Sequence, residues 1–456
     1  MLAGLLLASV ATWLSYRTKL RWSGRAQEWL LIGAITLPIV IFGIGTIRTQ
    51  GGLSNRALGA VGSFEMLDVP FTTGYPFGVI RRVWVYREEW NAMYASFAKL
   101  DAFRFHARST SNAVKQRQIY VLVVGESSRR DHWQLFDYNR PTNPELIHVE
   151  NLVLLPNVLS SWPQSVMAIP ALLTRKPIGE SGFAWKEASI LRAMQEAGYE
   201  TWWISNQLPM GKYDSPVTAY AMEAQHQLFL DHADWTSGNN FDEDLVKPLE
   251  DVIANNPSKQ KLFIILHMMG SHEPYDKRYP TGFKHFLPTI EDGGDKAQQL
   301  ARDQNSYDNT VLYTDHVLAK IIDVLRRSDA VSALWFESDH SESLPTSTCT
   351  FSGHGNGTRY EFMIPALFWY SKAYDTNFPD RVSQLHANAD KAALSASTFE
   401  SLIDMVGVDF PGHDSSWSLF SSQWKYHPRI VHGLWATDFD KAQFSKGCQM
   451  VFPPNS

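Results

Sequence analysis

Three short apolar runs, each passing directly into polar side chains, constrain this chain more than any other feature. Ile119–Val124 (IYVLVV) leads into Gly125-Glu126-Ser127-Ser128, Lys261–His267 (KLFIILH) into a segment carrying His272, and Ala333–Ser338 (ALWFES) into Asp339-His340-Ser341-Glu342-Ser343. Continuous, β-branched-rich runs of this length mark strands buried on both faces. Thr201–Ile204 is a further strand candidate, and helices are expected at Trp185–Ala197, Asp242–Asn255 and Ser306–Arg327. Pro248 lies inside the second helix and predicts a late start or a kink there. Helices alternating with buried strands from residue 118 to 456 predict an α/β domain built on a mostly parallel sheet flanked by helices. In such sheets ligands bind beyond the carboxyl ends of the strands, where these polar residues fall.

The strand ends carry the types of group that metal and phosphate chemistry requires. Glu126 offers a carboxylate, and adjacent Asp339 and His340 offer an oxygen and an imidazole, a mixed set that suits zinc or manganese. His267 and His272 stand five residues apart at the second strand end, and His354 sits in the Gly-rich loop Gly353–Gly357. Hydroxyls at Ser160, Ser161 and Ser165 precede an apolar run that reads as a helix start, where backbone N–H groups can receive a phosphate. Taken singly, each has an ordinary structural alternative: a solvated turn for Glu126, helix capping for Asp339 and the serines, a backbone partner for a histidine.

Composition narrows the classes. With 47 acidic against 41 basic side chains the net charge is −6, so no basic footprint for nucleic acid exists. Aromatics at 13% with only 19% charged residues exclude a disordered chain. Two cysteines exclude a disulfide-dense scaffold and a Cys-rich zinc module.

The N-terminal part has a different character. Residues 29–47 (WLLIGAITLPIVIFGIGTI) are nineteen uncharged residues, long enough to span the roughly 30 Å of bilayer hydrocarbon. Residues 1–16 are also uncharged; the positive charge follows this run, whereas a signal peptide carries it in front. Residues 1–48 are thus expected to be a transmembrane region with helices at about 1–16 and 29–47. Arg17, Lys19, Arg21 and Arg25 between them place that loop in the cytoplasm, and everything after Ile47 on the other side, in a bacterial cell the periplasm. Residues 49–117 read as a linker, with an amphipathic piece at Val83–Leu100 expected to lie on the membrane or to pack on the following domain. Residues 118–456 form the expected catalytic domain.

The order of these motifs resembles that of the bacterial phosphoethanolamine transferases, membrane-anchored members of the alkaline phosphatase and sulfatase superfamily. The likeness runs over about 118–372 and the preceding membrane part, and is most specific at Tyr138–Pro144 (YNRPTNP), His267–Pro280 (HMMGSHEPYDKRYP) and Ser338–Leu344 (SDHSESL). It implies zinc held by Glu126, Asp339, His340 and the nucleophile Ser165, which lies five residues before Pro170 where the family usually has Thr. It also implies that His272 and His354 serve a second zinc, the substrate phosphate or proton transfer, with His267 beside them. Asn206 and Lys212 match the family's ethanolamine-phosphate contacts. The implied reaction moves phosphoethanolamine from phosphatidylethanolamine to a cell-envelope glycan (lipid A, lipopolysaccharide core or periplasmic glucan) through a covalent enzyme ester, in the bacterial inner membrane with the catalytic domain in the periplasm. The family's several disulfides are reduced here to Cys349 and Cys448, which an oxidising periplasm permits to pair. The family usually has five membrane helices, and two are readable here.

Rival readings share the fold. A sulfatase needs a C/S-x-P-x-R setting, of which Ser161-Trp162-Pro163-Gln164-Ser165 supplies only S-x-P. A phosphoglycerol transferase would differ in donor, and the HxxGSHxPY form argues against it. A non-catalytic membrane scaffold would have lost a ligand, yet every core position is filled.

Overall fold

The computed structural model describes residues 87–456, apart from scattered positions between 89 and 99 and the stretches 112–113, 181–185, 210–213, 231–240, 256–260 and 455–456. The two expected membrane helices and Lys212 therefore lie outside the described residues. Among those described, no helix is long and apolar enough to cross a membrane.

Residues 89–456 form one compact unit. Its centre is a seven-stranded sheet comprising β1 (Gln118–Gly125), β2 (Leu152–Leu154), β3 (Glu200–Ser205), β4 (His226–Phe229), β5 (Lys261–His267), β6 (Val331–Ser338) and β7 (Ala366–Tyr370). The spatial order is β2-β7-β6-β1-β5-β3-β4. β6, β1, β5, β3 and β4 are mutually parallel. β7 runs against β6, and β2 against β7, so only β7 opposes the common direction. The expected mostly parallel sheet is present.

Every residue of β1 is buried, which explains its unbroken apolar run: alternate side chains enter two different cores. Tyr120, Leu122 and Val124 join a cluster that takes in the helices Ser165–Leu173, Ile190–Glu196 and Thr398–Val406. Ile119, Val121 and Val123 join the opposite cluster, with the helices Val246–Asn255 and Gln299–Arg327. Each large side chain so buried contributes about 1.5–3 kcal/mol, and together they anchor the strand ends from both sides.

Helix boundaries depart from expectation for local reasons. The 29-residue helix Gln299–Arg327 starts well ahead of Ser306, because its first turns are mostly polar and carry no apolar marker. The Trp185–Ala197 stretch turns helical only at Ile190, after Ser189 caps it by accepting from the Leu191 N–H. A 3-10 turn at Asp242–Leu245 precedes Val246–Asn255, so Pro248 falls in the first α-turn, where a missing N–H costs nothing. The packed body also reaches ahead of residue 118: Leu100, Phe105 and Ala107 belong to the first core, and Arg108–Ser109 pairs with Val408–Asp409. Of the amphipathic piece, Leu100 is buried while Trp90 and Tyr94 are exposed. Cys349 and Cys448 form a disulfide.

Candidate active site

Register brings the polar ends together. Val124 lies opposite His267 on β5, and Gly125 opposite Ser338 on β6, so Glu126, Met268 and Asp339 leave the sheet side by side. The loops are then tied to one another: Asp339 N–H donates to the Gly125 carbonyl at 3.1 Å and Ser271 N–H to the Glu126 carbonyl at 2.9 Å. Gly270 has a φ of +55°, and a Cβ there would stand 2.5 Å from the Glu126 carbonyl oxygen. Only glycine lets the β5 loop cross this close.

Four groups converge at this edge. Glu126, Asp339 and His340 are buried, and one ligand atom of each lies within 4.8 Å of the other two. Ser165 is the first residue of the helix Ser165–Leu173, which no side chain caps. Its Oγ donates to Glu126 Oε2 at 2.9 Å and stands 3.2 Å from His340 Nε2. The rival hydroxyls are turned away: Ser160 donates to the carbonyls of Trp162 and Asp339, and Ser161 is buried without lining the cavity described below.

The electrostatics of the cluster call for a cation. His340 Nδ1 donates to the Ser341 carbonyl at 2.9 Å, which directs Nε2 at the carboxylates, 3.2 Å from Glu126 Oε1 and 3.6 Å from Asp339 Oδ2. That Asp339 oxygen is buried with no hydrogen-bond partner. Burial and the neighbouring charge of Glu126 push Asp339 upward. Burial opposes ionisation of both His340 and Glu126, but the two carboxylates hold the His340 pKa high, and the imidazolium holds Glu126 well below the usual range. Two buried acids thus compete for one proton on a histidine. Two carboxylates and an imidazole about one orphaned oxygen fit a divalent metal of the zinc or manganese class. No other such group of three exists among the described residues.

Ser165 and Glu126 open onto a cavity of about 620 Å³ whose lining includes His267, His272 and His354. The His354 ring lies 4.5 Å from that of His340 and 6.4 Å from that of His272, centroid to centroid. Burial and the charge on His340 push His354 down to about 4. His272 bonds the Glu273 carbonyl through Nδ1 at 2.6 Å. His267 is pushed down to about 4 by burial, and its Nδ1 meets Ser205 Oγ at 3.2 Å. Asn206 stands apart from this group: it is buried, donates through Nδ2 to Asp242 at 2.9 Å and does not line the cavity.

Three further residues build the site. Gln207 donates to Glu126 Oε2 at 3.3 Å and to the Met268 carbonyl at 2.7 Å. Asp242 accepts from the N–H groups of Met269 and Gly270, holding the β5 loop. Glu361 accepts from the N–H groups of Gly355, Asn356, Gly357 and Thr358 and so fixes the loop bearing His354. Only Glu361 leaves a trace in the sequence, the capping box Thr358-x-x-Glu361. Gln207 and Asp242 act on distant backbone, which no local spacing reports.

Comparison with known proteins identifies the family. The family model described as Sulfatase matches residues 118–405. The chain is 29% identical over 370 residues to phosphoethanolamine transferase EptC of Escherichia coli K12, covering 79% of this chain and 62% of that protein. It is also 29% identical over 308 residues to phosphoethanolamine transferase EptA of the same strain, covering 65% and 54%. It thus spans less than two thirds of the length of these relatives. Among solved structures, the C-terminal periplasmic domain of Escherichia coli EptC in complex with Zn superposes with a TM-score of 0.66 at 26% identity, covering 76% of this chain and 98% of that one. The resemblance read from the motifs is borne out.

Proposed function

The chain belongs to the sulfatase family, and we propose that it works there as a phosphoethanolamine transferase that carries the group on Ser165. The observation that carries this reading is the position of Ser165 Oγ, within 2.9 Å of one member of the metal-fitting triad and 3.2 Å of another, in the lining of a cavity that also takes in three histidines. The EptC and EptA relatives, and a related domain crystallised with Zn, support the activity and the choice of metal.

Zinc held by Glu126, Asp339, His340 and Ser165 Oγ would supply Lewis acidity, lowering the pKa of the serine hydroxyl and neutralising charge on the transferring phosphoryl group. The chain's own residues do the remainder. Glu126 Oε2 accepts a hydrogen bond from Ser165 Oγ at 2.9 Å and is placed to take the hydroxyl proton on attack and to return it when Ser165 leaves phosphorus. The serine oxygen attacks phosphorus of phosphatidylethanolamine, the bond to the glycerol oxygen breaks, and diacylglycerol leaves with a proton from His272. The uncapped N-terminus of the Ser165 helix turns backbone N–H groups toward the phosphoryl oxygens. His354, neutral because burial lowers it, then takes the proton of the incoming acceptor, which displaces Ser165 from phosphorus. The acceptor is an envelope glycan such as lipid A, lipopolysaccharide core or periplasmic glucan. The expected N-terminal helices and the periplasmic domain of EptC support an inner-membrane enzyme facing the periplasm. Lys212 completes the donor site in this reading, while Asn206 supports it by holding Asp242 and the β5 loop.

Incubation of the full chain with zinc and headgroup-labelled phosphatidylethanolamine tests the reading. Diacylglycerol and labelled glycan are expected from the wild type, release at least about 1,000-fold slower from Ser165→Ala, and retained activity in Ser165→Thr. Transfer from phosphatidylglycerol but not from phosphatidylethanolamine would overturn the donor assignment.

A further inference from the structure

The turn that follows β1 is built on a residue poorly suited to it. Ser127 is buried and has a φ of +55°, in the left-handed region where a side chain costs backbone strain and glycine does not. Its neighbours fix that conformation from three elements. The Glu126 carbonyl before it accepts from the Ser271 N–H of the β5 loop. The Ser128 N–H after it donates to Ser338 Oγ at 3.0 Å, at the end of β6. Tyr307, buried on the helix Gln299–Arg327, donates its hydroxyl to the Ser127 carbonyl at 2.8 Å and accepts from the Arg129 N–H at 2.7 Å.

Strain that the surroundings over-determine points to function where the strained residue supplies something glycine lacks. Here it is a hydroxyl aimed at the metal-fitting group. Ser127 Oγ donates to Glu126 Oε1 at 2.7 Å, and the Ser127 N–H donates to Asp339 Oδ1 at 3.4 Å. One residue thus contacts both carboxylates of the triad. In each it engages one oxygen and leaves the other to the site: Glu126 Oε2 meets Ser165 Oγ at 2.9 Å, and Asp339 Oδ2 is the buried oxygen without a hydrogen-bond partner. Glycine at 127 would keep the N–H and carbonyl contacts and lose only the bond to Glu126.

We propose that Ser127 is a positioning residue, whose hydroxyl sets the Glu126 carboxylate for zinc and for Ser165 while Tyr307 holds the turn that aims it. A carboxylate whose orientation is fixed by a neighbouring donor loses less freedom when it binds a metal. The effect on turnover rests on the reading of Ser165 as the nucleophile; the effect on zinc binding rests on the triad alone.

Two substitutions separate the hydroxyl from the backbone. Ser127→Ala removes the hydroxyl and keeps the strain, whereas Ser127→Gly removes both. Zinc affinity of the full chain, read by competition with a chromophoric chelator, should fall about tenfold in each variant. At saturating zinc, kcat for release of diacylglycerol from phosphatidylethanolamine should fall by about the same factor, with KM for the lipid unchanged. Melting of the metal-free protein should rank differently, with Ser127→Gly above Ser127→Ala. Zinc affinity that recovers in Ser127→Gly together with Tm would reduce Ser127 to a backbone role and overturn the inference. Wild-type affinity in both folded variants would overturn it as well. Weakened zinc binding in both, beside a wild type that releases no diacylglycerol, would leave the positioning role standing and overturn the transferase reading instead.

Discussion

Two regions of the molecule set a histidine among carboxylates, and they differ in what they can do. At the strand ends, Glu126, Asp339 and His340 come from β1 and β6 and meet Ser165 from a third element. Elsewhere, His413 stands 3.5 Å from Glu400, 3.3 Å from Asp404 and 3.5 Å from Asp409. That second cluster is local: Glu400 and Asp404 lie one turn apart on Thr398–Val406, and His413 follows a few residues later. Its carboxylates surround the imidazole without converging on a common point, so it forms no metal-fitting group. Acid and histidine in proximity make a local polar cluster; convergence of ligand atoms from remote elements, beside a nucleophile, makes a site.

Substitution can break that contrast. Asp339→Asn or His340→Ala should abolish stoichiometric zinc binding, read by elemental analysis of dialysed protein, and lower kcat about 100- to 1,000-fold. His413→Ala should leave zinc content and turnover as they are. Equal zinc loss from both regions would erase the distinction.

A smaller effect is expected one layer out. Glu361→Gln keeps the shape but weakens the charge-assisted bonds to four backbone N–H groups that hold the His354 loop. Activity should fall about tenfold with zinc retained, a split that separates loop placement from metal loss.

The local cluster has its own signature in stability. Burial pushes Glu400 from its usual 4.5 up to about 8, with Arg175 opposing and Asp404 and Asp414 adding to the rise. The folded protein therefore holds a proton there that the unfolded chain releases, and this contribution to stability is lost as pH climbs from about 4.5 through 8. Glu400→Gln should flatten the decline of Tm across that window. A steeper decline would contradict the assignment.

How far the sequence reveals all this depends on whether a signal is local. β1, β5 and β6 are legible because each is buried on both faces and reads as a continuous apolar run. Glu126, Asp339, His340, His272 and His354 are legible because their order along the chain matches a family pattern. Ser165 is singled out in the sequence by its place five residues before Pro170, and in the structure by direction: Ser160 points at backbone carbonyls, whereas Ser165 meets Glu126. The apolar wall of the cavity is invisible for the opposite reason, since Val217, Ala221 and Phe229, which also line it, look like ordinary core residues until the elements are assembled. Glu126 and Gln207, bonded at 3.3 Å, are 81 residues apart, and no periodicity connects them.

The central claim is that Ser165 carries the transferred group, and intact-mass spectrometry of the zinc-loaded chain after brief exposure to phosphatidylethanolamine tests it most directly. The account predicts a gain of one phosphoethanolamine unit, mapped to the peptide containing Ser165, absent from Ser165→Ala and after chelation. An adduct that persists in Ser165→Ala, or that maps to Ser160 or Ser161, would contradict it.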